Sequence, residues 1–244
     1  MMAARDDDEI FVYMGGEQRV PYGVRRARIH KDVKIVREYA FQNRRHLISV
    51  EIHDGVEIIE KNAFYQCPLR SVKLLGVKII KHSAFFGCES LTDVEFGDKL
   101  EKIKEQAFQY CRALNKISMP SVRTVWMYAF ANCSKLSDVE CGEALRTLSG
   151  YAFASCPKLE RIALPLKGGM IENHVFIGCS KLETVDLVGG IHNIVASLHM
   201  ESWRNEMTGE INRINQVLPT LRESRTEEMR EWMRAVINPF DHYK

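Results

Sequence analysis

None of the short motifs that mark chemistry occurs in this chain. It has no Gly-x-Gly-x-x-Gly turn, no phosphate loop, no His-Glu-x-x-His and no Gly-x-Ser-x-Gly, so the reactions built on those loops and ligands are not indicated. The eight histidines are scattered without the spacing of metal ligands, and the seven cysteines include no Cys-x-x-Cys pair. Charge of one sign is missing too. Against 34 Lys and Arg stand 32 Asp and Glu, interspersed along the chain, and the net charge of +2 gives no pull toward nucleic acid or an anionic membrane. Arg25-Arg26 and Arg44-Arg45 are too short to change that. No apolar run approaches the roughly 18 residues that span a bilayer. The acidic start, Asp6 to Glu9, is not preceded by the apolar stretch of a secretory leader, which gives an expectation of cytoplasmic location. The sequon Asn132-Cys133-Ser134 overlaps a core position and is discounted on the same ground. Cofactors, metals and catalytic residues are therefore not expected, and an enzyme is the reading the sequence supports least.

What the chain does have is a beat. Ala-Phe recurs at Ala40-Phe41, Ala63-Phe64, Ala84-Phe85, Ala107-Phe108, Ala129-Phe130 and Ala152-Phe153, and Val175-Phe176 continues it at steps of 21–23 residues. That is the period of a leucine-rich-repeat array. Before each beat lies a segment of pattern Leu-x-x-Val-x-Ile, as in Leu91–Phe96 and Leu114–Met119, whose last apolar pair alternates with the period of a strand buried on one face. A turn follows, often at Gly or Pro, and then a Val-x-x-Ile pair such as Val56/Ile59 or Leu100/Ile103; only Gly168, before Ile171, breaks this spacing. One coil cannot bury its own apolar edge, but stacked coils share a continuous core. The alanine before each phenylalanine implies a close backbone approach.

The beat also places the cysteines. Cys67, Cys88, Cys111, Cys133, Cys156 and Cys179 each lie three residues after the phenylalanine, where the first repeat has Arg44, and Cys141 takes an apolar strand position. Buried free thiols acting as small hydrophobes are the main reading. Adventitious redox or metal capture along a sulfur column is the other.

This motif, Leu-x-x-Val-x-Ile…Val-x-x-Ile-x-x-x-Ala-Phe-x-x-Cys, resembles the BspA-like, or treponemal-type, leucine-rich repeat. The resemblance covers residues 24–194, flanked by an N-terminal cap at 1–23 and a C-terminal helical cap at 195–244. Repeats of this look occur in bacterial surface proteins and in expanded families of diatoms and other protists; the start and tail look closer to the protist kind. The resemblance implies an α/β repeat, a right-handed curved solenoid of about seven repeats that serves as a protein-binding surface, with no reaction or cofactor. The expected partner is another protein. A structural, self-associating or cell-surface module is the alternative.

The ends and the exposed columns carry the remaining candidates. Ile10-Phe11-Val12-Tyr13 with Gly15-Gly16 reads as a hairpin or an extended cap. Trp203, Met207, Ile211, Ile214 and Leu218 fall on one face of a helix, and Met229, Trp232, Met233, Val236 and Ile237 on a second that opens with the capping pattern Ser224…Glu227. This pair either covers the last coil or forms a docking and homodimer surface. On the strands, one outward column reads Glu51, Lys73, Glu95, Ser118, Glu140, Ala163, Asp186 and its neighbour Ser49, Ser71, Asp93, Lys116, Asp138, Arg161, Thr184. With six acidic against three basic residues, it is either a solvated face or a surface for a basic partner. Just before the phenylalanine most repeats are polar, but one carries Trp126-Met127-Tyr128 and the next Tyr151. This aromatic cluster is either a partner contact or packing against a neighbouring loop or the C-terminal helices.

Overall fold

The computed structural model describes residues 10–165, 167, 169–188, 226, 227 and 230. Each coil begins with a strand whose burial alternates, as in Ser71–Leu74, Asp93–Phe96 and Lys116–Met119. Equivalent strands pair parallel and in register, Lys116 against Asp138 and Asp138 against Arg161, on to Arg161 against Thr184. A second parallel sheet is built from six two-residue strands, Ile35–Val36, Ile58–Ile59, Ile79–Ile80, Lys102–Ile103, Thr124–Val125 and Thr147–Leu148. These are the Val-x-x-Ile pairs, each turning its last residue into the core.

The third side of the coil corrects the α/β expectation: it is a run of turns and not a helix. Two residues before and two after each phenylalanine the backbone enters the left-handed region. Twelve of these positions hold a non-glycine residue with φ between 52° and 62°, and the other two are Gly87 and Gly178. No helix can continue through such residues. The conformation aims alternate N–H groups at the next coil, and the ladder so formed offsets the local cost. Around Phe64, for example, Asn62 N–H donates to His82, Phe64 N–H to Ala84 and Gln66 N–H to Phe86, at 2.8–3.0 Å.

Inside, the phenylalanines form a spine. From Phe41 to Phe176 successive rings stack with centroids 4.9–5.9 Å apart and planes within 13°. Beside them each repeat cysteine donates its S–H to the phenylalanine carbonyl of the preceding coil: Cys67 to Phe41, Cys88 to Phe64, Cys111 to Phe85, Cys133 to Phe108, Cys156 to Phe130 and Cys179 to Phe153, at 2.9–3.3 Å. The carbonyls of Phe41, Phe64, Phe85 and Phe108 also accept an N–H bond from their own coil, so there the thiol occupies a second lone pair that a purely apolar side chain would leave empty. All seven thiols are buried and free. The turn glycines matter where coils meet closely. A Cβ on Gly76, Gly97 or Gly142 would sit 1.8–1.9 Å from a carbonyl oxygen of the coil before.

The N-terminal cap is extended. Ile10–Tyr13 pairs parallel with Arg26–Ile29, which excludes the hairpin reading because a hairpin pairs antiparallel. Tyr13 supplies the first rung of the spine, its ring 5.2 Å from Phe41. Arg44, standing where later coils have cysteine, ties the cap down. Its guanidinium donates to the carbonyls of Val20 and Gln42, both at 2.7 Å, and lies 4.4 Å from the Tyr22 ring centre.

At the other end of the described coils, Phe176 N–H donates to the buried hydroxyl of Thr226 at 3.0 Å, and Arg230 bonds Asn173 and Glu227. Thr226, Glu227 and Arg230 have helical backbone; Gly168, Trp203, Trp232 and the rest of the expected helical hairpin lie outside the described residues. Among the described residues no helix is long and apolar enough to cross a membrane.

Candidate binding surfaces

The outward strand columns are stitched by ion pairs between adjacent coils. Glu51 bonds Arg28 at 2.5 Å and Glu95 bonds Lys73 at 2.8 Å. Such exposed pairs are worth about 0–1 kcal/mol each, so a partner can replace them at little cost.

Glu140 and Asp186 meet on Arg161. Its guanidinium is held by Asp138 at 2.8 Å, Glu140 at 3.3 Å and Asp186 at 2.6 Å, and Asp138 and Asp186 push its already high pKa further up. Ala163, expected to face solvent, is buried, because it is the small residue of its column beside that spread side chain.

Two coils earlier the same layout is left open. Lys116 takes the place of Arg161 and Ser118 that of Ala163, but Lys116 reaches only Asp138, at 3.7 Å, and is 70% exposed. Here the sheet is interrupted too: no ladder pairing joins Asp93–Phe96 to Lys116–Met119. A groove of about 550 Å³ follows the interruption, rimmed by Asp93, Glu95, Asp138 and Glu140 and crossed only by Lys116.

The aromatic cluster before the spine splits into two parts. Trp126 is half-buried under Lys104, whose ammonium lies 3.4 Å from the ring centre, and its enclosed indole N–H has no partner among the described residues. Met127 is 44% exposed. Tyr128 stacks on Tyr151 at 5.0 Å, and Tyr151 leans on His174 at 5.2 Å, a member that sequence reasoning missed although His174 shares the column of the two tyrosines. A second row was missed entirely. Tyr65 and Phe86 stack at 4.9 Å, and Tyr110 meets Phe86 edge-on at 5.3 Å. Their signal lay in the positions just after the beat.

Among the described residues no group of three or more His, Cys, Asp or Glu is placed to hold a metal ion. Parallel coils with a fixed apolar interior and a varied exterior define a leucine-rich-repeat solenoid. The family described as BspA type leucine rich repeat region matches residues 24–125 and 101–204, in six copies, and the chain belongs to it. A solved leucine-rich-repeat protein of T. pallidum is 26% identical, with 60% of this chain and 78% of that one covered and a TM-score of 0.51. One from Bacteroides ovatus is 24% identical over 66% of this chain, with a TM-score of 0.48, and this chain spans 55% of its length. A search of curated proteins finds no match.

Proposed function

We propose that the protein is a non-catalytic recognition scaffold that binds another protein through the outward face of its strands, and that the partner presents basic side chains. The observation that carries this reading is the groove beside Lys116. Four carboxylates rim it, one loosely held lysine crosses it, and Arg161 displays on the same face the bonds that a guanidinium makes there. Glu95 is shared with Lys73, and Asp138 and Glu140 with Arg161. Exposed pairs of this kind are worth only about 0–1 kcal/mol each, so an incoming arginine with its planar fork can join or displace them. Family membership supports the coarser part, since solenoids of this kind are generally binding scaffolds and not enzymes.

Affinity capture from the native cell, followed by mass spectrometry, tests it with wild type and a Glu95→Lys, Glu140→Lys double variant. The expected partner is retained by wild type, lost by the variant, and released as salt rises. A partner held equally by both proteins overturns the assignment to this face.

A further inference from the structure

A second exposed aromatic row lies just past the spine, where the repeats from Phe41 to Phe108 differ from the rest. Tyr65 and Phe86 occupy the position after the spine phenylalanine, held elsewhere by Gln42, Gln109, Ala131, Ala154 and Ile177. Tyr110 enters from one residue further on, in the left-handed region at φ 62°. Other coils fill that place with Asn43, Gln66, Gly87, Asn132, Ser155 and Gly178, small or amide residues. Tyr110 is the one aromatic ring at that place among the described coils, and it lies edge-on to Phe86 at 67°, beside an open cleft of about 650 Å³. Tyr65, Phe86 and Tyr110 are each only half-buried.

The charge on the rim says what fits. Arg45, Pro68, Glu89 and Arg112 are equivalent positions of successive coils and all line the cleft. At about 5 Å per coil the two arginines stand roughly 15 Å apart. Arg45 makes no ion pair among the described residues, and Arg112 reaches Glu89 only at 3.8 Å. Two exposed guanidiniums against one carboxylate, over an aromatic floor, call for an anionic ligand with an apolar centre.

We propose that this cleft binds an extended acidic peptide segment of a partner protein. Carboxylates about four residues apart engage Arg45 and Arg112, since an extended chain covers about 3.3 Å per residue. An apolar or aromatic side chain between them packs on Phe86 and Tyr110. The inference rests on the reading of the protein as a recognition scaffold, but it uses a different surface and the opposite charge.

Fluorescence anisotropy with a labelled Glu-Ala-Phe-Ala-Glu peptide, blocked at both ends, tests it against the Lys-Ala-Phe-Ala-Lys counterpart. Wild type is expected to bind the acidic peptide in preference, and Arg45→Glu to weaken it about tenfold. Tyr110→Asn installs the residue that the coils of Phe41 and Phe130 carry at this place, so it preserves the fold while also costing about tenfold in affinity. Glu140→Lys, on the strand face, leaves acidic-peptide binding unchanged, which separates this site from the acidic groove. Preference for the lysine peptide, equal binding by wild type and Arg45→Glu, or no saturation by about 1 mM overturns the proposal.

Discussion

From Phe41 to Phe176 the spine position never changes, while two residues earlier the chain runs Tyr39, Asn62, Ser83, Gln106, Tyr128, Tyr151 and His174. Both columns stack coil on coil, and both are set by the same hydrogen-bond ladder. They differ in what surrounds them. Each spine ring is enclosed by its neighbours, so its shape is dictated by the rings above and below. The outer column needs only a backbone that accepts a left-handed turn, and any side chain can ride on it. Constancy inside and freedom outside are two results of one stacking rule.

The strongest way to break the interior is alkali. Burial pushes the thiols of Cys67, Cys133 and Cys141 up to about 12 from an ordinary 9, and those of Cys88 and Cys111 well above it. Below pH 9 folded and unfolded chains are both protonated at these sulfurs. Between about 9 and 12 only the unfolded chain releases protons, so stability falls as pH rises. Each thiol adds about 1 kcal/mol per pH unit to that loss, so several together become comparable with the stability of a typical domain. Circular dichroism should show cooperative unfolding before pH 12. Cys141→Val should move the midpoint upward; a fixed midpoint would assign alkaline unfolding to other groups.

Next comes the spine itself. Phe108→Ala removes a ring flanked on both sides and should cost about 3–5 kcal/mol in denaturant melts. Phe176→Ala, stacked at 5.9 Å on Phe153 alone among the described residues, should cost less. Equal costs would mean that the rings do not act as a continuous column.

Much of this interior was legible from the beat, because period-two alternation and the repeat length together fix which side chains face inward. Val72, Leu74, Val94, Phe96, Ile117 and Met119 are all buried as the strand pattern requires. The turn-built third side was not legible. Tyr128, Gln106 and Ser83 carry no local preference for positive φ, and the ladder to the next coil overrides their intrinsic cost. The surfaces were half legible. The acidic columns could be written out from the sequence, but the burial of Ala163 depends on how one side chain, Arg161, spreads over its neighbours. Trp126, Met127, Tyr128 and Tyr151 stood out together as anomalies, but the structure stacks Tyr128 and Tyr151 apart from Trp126 and adds His174 to them.

Between interior and exterior stands the bond from the Phe176 coil to Thr226. Thr226→Val leaves the buried Phe176 N–H without an acceptor and should cost about 1–3 kcal/mol, with Thr226→Ser restoring most of it. Amide exchange at Phe176 reads this directly: faster exchange in the valine variant alone is the expected pattern. Trp126→Lys should cost less, about 1 kcal/mol, because it loses the Lys104 contact and sets two ammonium groups together without opening the spine. A loss as large as that of Phe108→Ala would move Trp126 from the exterior into the core.

The smallest expected change in stability makes the sharpest test of the exterior. Lys116→Arg would place on the open groove the side chain that Arg161 already uses two coils later, beside Ser118 in the role of Ala163. The new guanidinium can reach the carboxylates that a partner would otherwise engage, and as an exposed network it should shift the melting free energy by no more than about 0.5 kcal/mol. Binding of a basic partner, or of a blocked hexa-arginine probe, should nevertheless fall about tenfold, since the acceptors are then satisfied from within. Calorimetry and titration on the same sample distinguish the outcomes. Unchanged stability with unchanged affinity would mean that the groove is only a solvated interruption of the sheet. Unchanged stability with lost affinity would mean that the exterior of this solenoid carries recognition that its interior does not register.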